Sequence, residues 1–331
     1  METMIRDGRD RRSALWVFFP LCLLALIALP PFFPTHLQNL MTKVLIYTIF
    51  AMSLDLLMGY ADMPSLGHAS YFGTAAYAAA MLLLIHNFQN FWAVAALSLF
   101  TAAVVAFLFG FVALRVSGIY FLLITFALSQ LLFWIAWLWR SVTGGDDGIG
   151  GIIVVNLGFP VNWTPLLFYY FVFAIALVSY FAMNRLVSSP FGRILRGIAG
   201  NESRMRALGY NTWAFKYLIY IISAVFAGIP GVLYVYFNQY VGPHTLGIHL
   251  SGLAMFIVIL GGAGTLHGAF LGSLVILSIE YMSSLYFPKR WPLILGTTFV
   301  ITAMFIRGGI SPHLGKLFRR RSSGRGSAKS E

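Results

Sequence analysis

The chain has 331 residues, of which 59% are hydrophobic and only 10% are charged. An ordinary soluble domain carries about 25% charged residues, so this composition excludes a soluble globular protein and places most of the chain in lipid. The net charge of +12 would suit a nucleic-acid partner, but the basic cytoplasmic loops of a membrane protein explain it equally well. We therefore expect contact with membrane lipid and no binding of nucleic acid.

Ten apolar stretches have about the length of a helix that crosses the membrane, which is roughly 17 to 25 residues. They are apolar on every face, which excludes barrel strands with alternating polarity. The sequence therefore predicts an all-α, polytopic integral membrane protein whose transmembrane permease domain covers 14–308, after a cytoplasmic segment 1–13 and before a basic, disordered cytoplasmic tail 309–331. The predicted spans are 14–33, 40–60, 67–86, 91–114, 118–139, 166–184, 213–237, 248–263, 267–286 and 291–306.

The basic residues predict which side of the membrane each loop faces. With both termini in the cytoplasm, 18 of the 22 Lys and Arg residues lie on the inner side, as the positive-inside rule requires. The single cysteine, Cys22, lies in the first span, so it can form neither an internal disulfide nor a cysteine metal site.

Two long loops differ in kind. The outer loop 140–165 is rich in Gly, Asn and Asp and predicts a structured external cap with little regular helix. In the inner loop 185–212, Pro190 opens a helical stretch and Asn201 can cap a second, short helix that runs from Glu202 to Leu208. Gly209 then supplies a left-handed stop.

The inner loop is also amphipathic. Apolar side chains fall roughly on one side of its helices and arginines spread over the rest, as in a helix that lies on the inner membrane surface; the apolar ones are Ile194, Ile198, Met205 and Leu208. The loop is either a solvated basic segment that sets the topology or a rigid docking element for a soluble partner, and the sequence leaves both open.

Two polar interruptions break the apolar pattern in the two halves of the chain. In "GYADMPSLGHASYFG", 59–73, Pro64 ends the second span and Ser65 can cap a new helix from Leu66, whose free N–H groups would suit a ligand carboxylate. In "GGAGTLHGAFLG", 261–272, Thr265 can cap in the same way, two residues before His267. Paired interruptions of this kind indicate a transport site near the middle of the membrane.

Close helix packing through small residues such as Gly67 is the other explanation, and the two are compatible. Asp55 and Glu280 are acids at membrane depth, where each either pairs with a polar group of a neighbouring helix or lines the pathway. The histidines lack metal-ligand spacing, and no Walker, GxSxG or HExxH motif occurs. We therefore expect no catalytic residue, no metal and no cofactor, and no ATP hydrolysis by this chain.

Five motifs, in order along the chain, give it a family resemblance. They are the segment from Gly59 to Tyr77, "SGIYFLLITFALSQ" from Ser117, "TGGDDGIGGI" from Thr143, "SPFGRILRGIAGNESRMRALGYN" from Ser189, and "GGAGTLHGAFLG" from Gly261. In these motifs the chain resembles the LivM-type permease subunits of branched-chain amino acid ABC importers. The resemblance covers about 44–307.

The resemblance implies a permease of the bacterial inner membrane that forms half of a translocation pathway. Its partners would be two ABC ATPase subunits, which alone use ATP, a second and different permease, and a periplasmic substrate-binding protein. The implied pathway residues are Ser65, Gly67, His68, Thr143, Gly144, Gly145, Thr265 and His267. The resemblance implies a coupling helix from Glu202 to Gly209 that sits in a groove of an ATPase subunit. The expected ATPase-coupling residues, in and before this helix, are Gly192, Arg196, Asn201, Glu202, Arg206, Ala207 and Gly209.

The chain departs from the family pattern at the first interruption. Where the family commonly has Gly, Gln and Leu, this chain has Asp62, Met63 and Pro64. A branched-chain amino acid is the expected substrate, and urea or amides are the alternatives. A secondary transporter driven by an ion gradient through Asp55 and Glu280 is an alternative of another class, and a scaffold that moves nothing is a third.

Overall fold

A computed structural model describes residues 26–84, 88, 90–152, 164–305 and 309–310. The N-terminal segment 1–13, the part of the first predicted span before Leu26, residues 153–163 of the outer loop and the tail from 311 lie outside the described residues. So does Cys22.

Helices make up almost all of the described chain, as expected for an all-α protein. Their bounds agree with the second to tenth predicted spans to within a few residues. The helices are α1 (Thr35–Met58), α2 (Ala69–Leu84), α3 (Phe91–Ala113), α4 (Ile119–Leu138), α5 (Arg140–Thr143), α6 (Pro165–Ser188), α7 (Pro190–Gly200), α8 (Glu202–Ala207), α9 (Thr212–Asn238), α10 (Ile248–Gly261), α11 (Leu266–Tyr286) and α12 (Trp291–Phe305).

Six of these helices, α1, α3, α4, α6, α9 and α11, are long and apolar enough to cross a membrane. Helix α2 has 16 residues and α10 has 14, which at about 1.5 Å per residue falls short of a hydrocarbon core of about 30 Å. Each of these short helices adjoins one of the polar interruptions.

The helices form a buried centre and an outer layer. In the most apolar 18-residue stretch of each helix, 83% of the residues are buried in α1 but only 22% in α4. The centre consists of α1, α2 and α9, and its largest buried side chains include Phe50, Phe72 and Tyr220. The outer faces of α3 and α4 carry exposed aromatics such as Phe107 and Trp134, as suits contact with lipid or with another membrane subunit.

Glycines allow backbone contact between neighbouring segments of the bundle. A Cβ atom added to Gly67 would lie 2.4 Å from the carbonyl oxygen of Thr125 in α4, and one added to Gly231 of α9 would lie 2.2 Å from that of Phe72 in α2. The close packing expected for Gly67 is therefore present. The end of the first span docks against α6, where the hydroxyls of Tyr169 and Tyr170 donate to the carbonyls of Leu26 and Ile27.

Candidate functional site

The first break, between α1 and α2, is built differently from the prediction. Helix α2 begins at Ala69 rather than at Leu66, and Ser65 does not cap it. The Ser65 hydroxyl accepts from the Gly67 N–H at 3.2 Å, within the break itself. The Ala69 N–H donates instead to Ser251 Oγ of α10, at 2.9 Å. An acceptor 182 residues away in sequence replaces the local cap, so this helix start is not open to a ligand.

His68 anchors the break in the core and is fully buried. Its Nε2 lies 2.8 Å from Ser53 Oγ of α1. Because the Ser53 hydroxyl already donates to the Phe50 carbonyl at 2.7 Å, Nε2 carries the proton and donates. The ring stacks on Phe50 at 5.5 Å and meets Tyr71 edge-on at 5.8 Å. His68 therefore ties the break to α1 through a hydrogen bond that its ring donates.

Asp62 explains one departure from the family pattern. It is exposed and has a left-handed backbone with φ of 53°. Glycine adopts this conformation freely, and Asp is among the few other residues that tolerate it. Asp62 therefore holds a turn whose backbone conformation a glycine would also adopt, and its short polar side chain is exposed.

The second break, between α10 and α11, also caps itself differently from the prediction. Thr265 holds the N-cap position of α11, but no N–H of the helix bonds to its hydroxyl. The hydroxyl donates to the Gly262 carbonyl at 2.5 Å and so closes the turn before the helix. His267 lies half-buried in the first turn of α11.

Asp55 joins the two breaks. One of its carboxylate oxygens, Oδ1, accepts from the Gly264 N–H at 2.7 Å, across 209 residues of sequence. Asp55 is 1% exposed, and its other oxygen, Oδ2, has no hydrogen-bond partner among the described residues. Gly59, one turn later, lies so close that a Cβ there would be 2.1 Å from the Gly264 nitrogen. Of the two roles expected for Asp55, the structure shows the pairing one.

The outer-loop residues lie apart from the two breaks. Thr143 Oγ1 is 2.6 Å from the Ala136 carbonyl and 2.8 Å from that of Trp139. Gly144 and Gly145 have left-handed φ values of 77° and 64°. A Cβ on Gly144 would lie 2.0 Å from the Gly148 carbonyl oxygen. The described part of the loop is thus a tight cap with short helical turns, as expected.

A third irregular segment, 239–247, was not singled out in the sequence. It leaves α9 through Gln239, whose φ is 55°, and contains a short 3-10 helix, Pro243–Leu246. Leu246 packs on Gly73 of α2 and accepts a hydrogen bond from Ser129 Oγ at 3.0 Å. The "YVGPHTLG" run of Gly and Pro is the sequence signal that could have revealed it.

The helices of the loop 185–212 match their prediction closely. Asn201 Oδ1 accepts from the Arg204 N–H at 2.8 Å and caps α8, which ends at Ala207 with Leu208 as its C-cap. Gly209 follows with φ of 89°. The predicted apolar side needs one correction, because Leu208 is 67% exposed while Leu195 is buried at 2% exposure. Leu208 lies beyond the last turn of α8, so the helical face no longer includes it.

Of the remaining coupling residues, Gly192 and Arg196 hold α7 against the end of α6. A Cβ on Gly192 would lie 2.2 Å from the Val187 carbonyl oxygen, and Arg196 Nη2 donates to that same oxygen at 3.0 Å. Ala207 is exposed on α8. These contacts give the loop a defined shape at its start.

Glu202 is bound within the chain. Its Oε1 accepts from Arg206 Nη2 at 2.6 Å and from the Thr212 hydroxyl at 3.0 Å, and its Oε2 accepts from Lys216 Nζ at 2.5 Å. Thr212 and Lys216 belong to α9. Glu202 therefore fastens α8 to the next helix, a role that the sequence analysis did not assign to it.

The charge of Glu202 predicts a pH dependence. Partial burial alone would raise the pKa of Glu202, but the hydrogen bonds from Lys216, Arg206 and Thr212 outweigh it and lower the pKa to about 2. In the unfolded chain a glutamate has a pKa of about 4.3. Because the pKa of Glu202 is lower in the folded chain, its carboxylate stabilises the fold fully above about pH 4.3, and this stabilisation is lost as the pH falls through the pKa of the folded state. We expect a spin label at Ser203 in a Cys22→Ser background to gain mobility between about pH 4 and 2. The Glu202→Gln variant should be mobile at every pH, and an equal response in both variants would contradict the assignment.

The predicted residues therefore form three groups. Ser65, Gly67 and His68 are joined through Asp55 and α1 to the break that holds Thr265 and His267; Thr143 to Gly145 cap the loop after α4; and the coupling residues lie around α7 and α8. A small, open apolar cleft between α10, α11 and α12, with Phe256 and Leu295 in its lining, contains none of the predicted residues.

Comparison with known proteins gives the family. Residues 36–306 match the family described as "Branched-chain amino acid transport system / permease component". The chain is 27% identical to the high-affinity branched-chain amino acid transport system permease protein LivM of Salmonella typhimurium and to that of Escherichia coli, over 92% of this chain and 76% of each relative. It is 28% identical to the permease protein LivH of Escherichia coli over 36% of this chain and 38% of that protein. The match covers most of the helical bundle and both breaks, and the chain belongs to this family of transport-system permease components.

Proposed function

We propose that this chain is the LivM-type permease subunit of an ABC importer for branched-chain amino acids. It forms half of the translocation pathway in the inner membrane of a bacterium, with both termini in the cytoplasm. Its partners are a second, different permease, two ATPase subunits and a periplasmic binding protein. Family membership supports the transport role, and the names of the LivM and LivH relatives support the substrate and the pairing of two permeases.

The short helix α8 is the observation that carries the proposal. It is capped at its start, stopped by a left-handed glycine, and fastened to α9 through Glu202. Its outward side chains, including Arg204 and Ala207, are exposed. A loop that served only to carry positive charge would need none of these fixed contacts, whereas a helix that receives force from a soluble ATPase must be rigid and must present a free face.

Reconstitution tests this proposal. The purified chain alone in liposomes should take up no leucine under a proton or sodium gradient. With its ATPase subunits, second permease and binding protein, it should take up leucine when ATP is supplied, and excess urea should not compete. Uptake by the lone chain in a gradient would reject the ABC mechanism, and competition by urea would reject the substrate.

A charge reversal on α8 tests the docking face. Arg204→Glu should reduce co-purification of the ATPase subunits by about tenfold, because a reversed charge in a docking interface is repulsive. Lys289→Glu makes the same charge change at an exposed residue on the predicted outer side and should have no effect. If both variants retain the ATPases equally, α8 is not the docking element.

A further inference from the structure

One face of α9 makes polar contacts with α8 and with residues of α1 and α2 on either side of the first helix break. Thr212, Lys216, Tyr220 and Ser223 are spaced by 4, 4 and 3 residues, which at about 100° per residue places all four within roughly 80° of one another. The face spans about 16 Å along the helix axis, at about 1.5 Å per residue. Pro230, the proline inside α9, lies beyond it, so this part of the helix is uninterrupted.

At the cytosolic end of this face, Lys216 makes the inner contact with α8. The side chain of Lys216 is 17% exposed, whereas that of Arg206, the other ion-pair partner of Glu202, is 66% exposed. Exposed ion pairs contribute little, because water and salt screen them. Arg206 lies on α8 itself, so of the two ion pairs of Glu202 the one with Lys216 joins α8 to α9. The Thr212 hydroxyl of α9 also donates to Glu202, at 3.0 Å, and accepts from Arg206 Nε at 3.1 Å.

At the membrane end, the same face reaches the residues that hold the first break. The Ser223 hydroxyl donates to the Ser53 carbonyl at 2.6 Å, and the Ser53 hydroxyl accepts from His68. The Tyr220 hydroxyl is hydrogen-bonded to that of Tyr71, whose ring meets His68 edge-on. Both contacts are buried, and both end on residues in contact with His68.

We infer that this face of α9 transmits displacement of α8 to the first helix break, with Lys216 as the positioning residue at the cytosolic end. The inference rests on the proposed function, in which the ATPase subunits move α8. A continuous helix is stiff along its axis, so a push received by Lys216 and Thr212 reaches Tyr220 and Ser223 with little loss. Loss of the bond between Lys216 and Glu202 should leave ATP hydrolysis intact but uncouple it from transport.

The experiment measures the number of leucine molecules taken up per ATP hydrolysed. The complete transporter, with its ATPase subunits, second permease and binding protein, is reconstituted in liposomes, and uptake and phosphate release are recorded together. Lys216→Met should lower this ratio by about fivefold or more, a change typical of lost coupling between sites. Lys289→Met makes the same substitution at an exposed residue on the predicted outer side and should stay within about twofold of the unmodified chain.

A charge exchange separates coupling from simple loss of stability. Glu202→Lys alone should lower the ratio, and Glu202→Lys together with Lys216→Glu should restore it. Tyr220→Phe keeps the ring but removes the hydroxyl that bonds to Tyr71. It should also lower the ratio, because it breaks a contact at the membrane end of the same face.

Two results would overturn the inference: an unchanged ratio in Lys216→Met, or no recovery in the exchanged variant. Neither would affect the proposed function, because the unmodified complex would still show ATP-dependent uptake. A failure of the proposed function would instead appear as uptake by the unmodified chain without ATPase subunits.

Discussion

Gly231→Ala is expected to destabilise the chain by about 1–3 kcal/mol, the usual effect of an extra methyl group in a tightly packed interior. The added methyl would lie 2.2 Å from the carbonyl oxygen and 3.0 Å from the carbonyl carbon of Phe72. Backbone atoms cannot rotate away as a side chain can, so α9 must move away from α2. The change should appear as a lower Tm in detergent and as a loss of leucine uptake in cells.

Gly252→Ala is the matched control for this change. Gly252 also lies inside an apolar helix, α10, but a Cβ there would meet nothing within 4 Å. Alanine favours a helix over glycine by up to about 1 kcal/mol, so Gly252→Ala should leave the Tm unchanged or raise it. If the two variants behave alike, helix propensity rather than the contact with Phe72 governs this site.

Asp55→Leu is expected to destabilise the junction between the two breaks by about 1–3 kcal/mol, the usual effect of removing the partner of a buried donor. Leucine fills a similar volume but leaves the Gly264 N–H without the acceptor that it has at 2.7 Å. Limited proteolysis at the segment 262–265, together with the Tm in detergent, measures the effect.

Asp55→Asn distinguishes the hydrogen bond from the charge. The amide oxygen of asparagine can accept from the Gly264 N–H as the carboxylate does, so this variant should retain most of the stability and of the leucine uptake. A secondary transporter that couples an ion through Asp55 would lose uptake in Asp55→Asn as completely as in Asp55→Leu. Equal loss in the two variants would therefore contradict the pairing role.

The helix bounds followed from local signals. An apolar run that ends at a glycine, proline or polar cluster needs no tertiary information, because lipid forces the backbone to satisfy its own hydrogen bonds. The N-cap of α8 was also local, because Asn201 accepts from the N–H of Arg204, which is only three residues later in the sequence. Both could therefore be predicted.

The contacts of the two breaks were not predictable in this way. Ser65 and Thr265 have the residue type and position of caps. The Ser65 hydroxyl, however, accepts from Gly67 within the break, and the Thr265 hydroxyl donates to the Gly262 carbonyl in the preceding turn. Ser251 provides the acceptor for the start of α2 from another helix. Such a pairing depends on which helices are neighbours, and one sequence does not contain that information.

The sequence by itself determined an all-helical membrane protein, its helix bounds and the capped short helix α8, because lipid and backbone hydrogen bonding act on each segment separately. Only the tertiary structure decided which segments are central. Helices α1 and α4 are both apolar, yet one is surrounded by protein and the other faces outward, since a lipid tail and a neighbouring helix favour the same side chains. The bonds of Asp55 to Gly264 and of Glu202 to Lys216 likewise exist only after the helices have assembled.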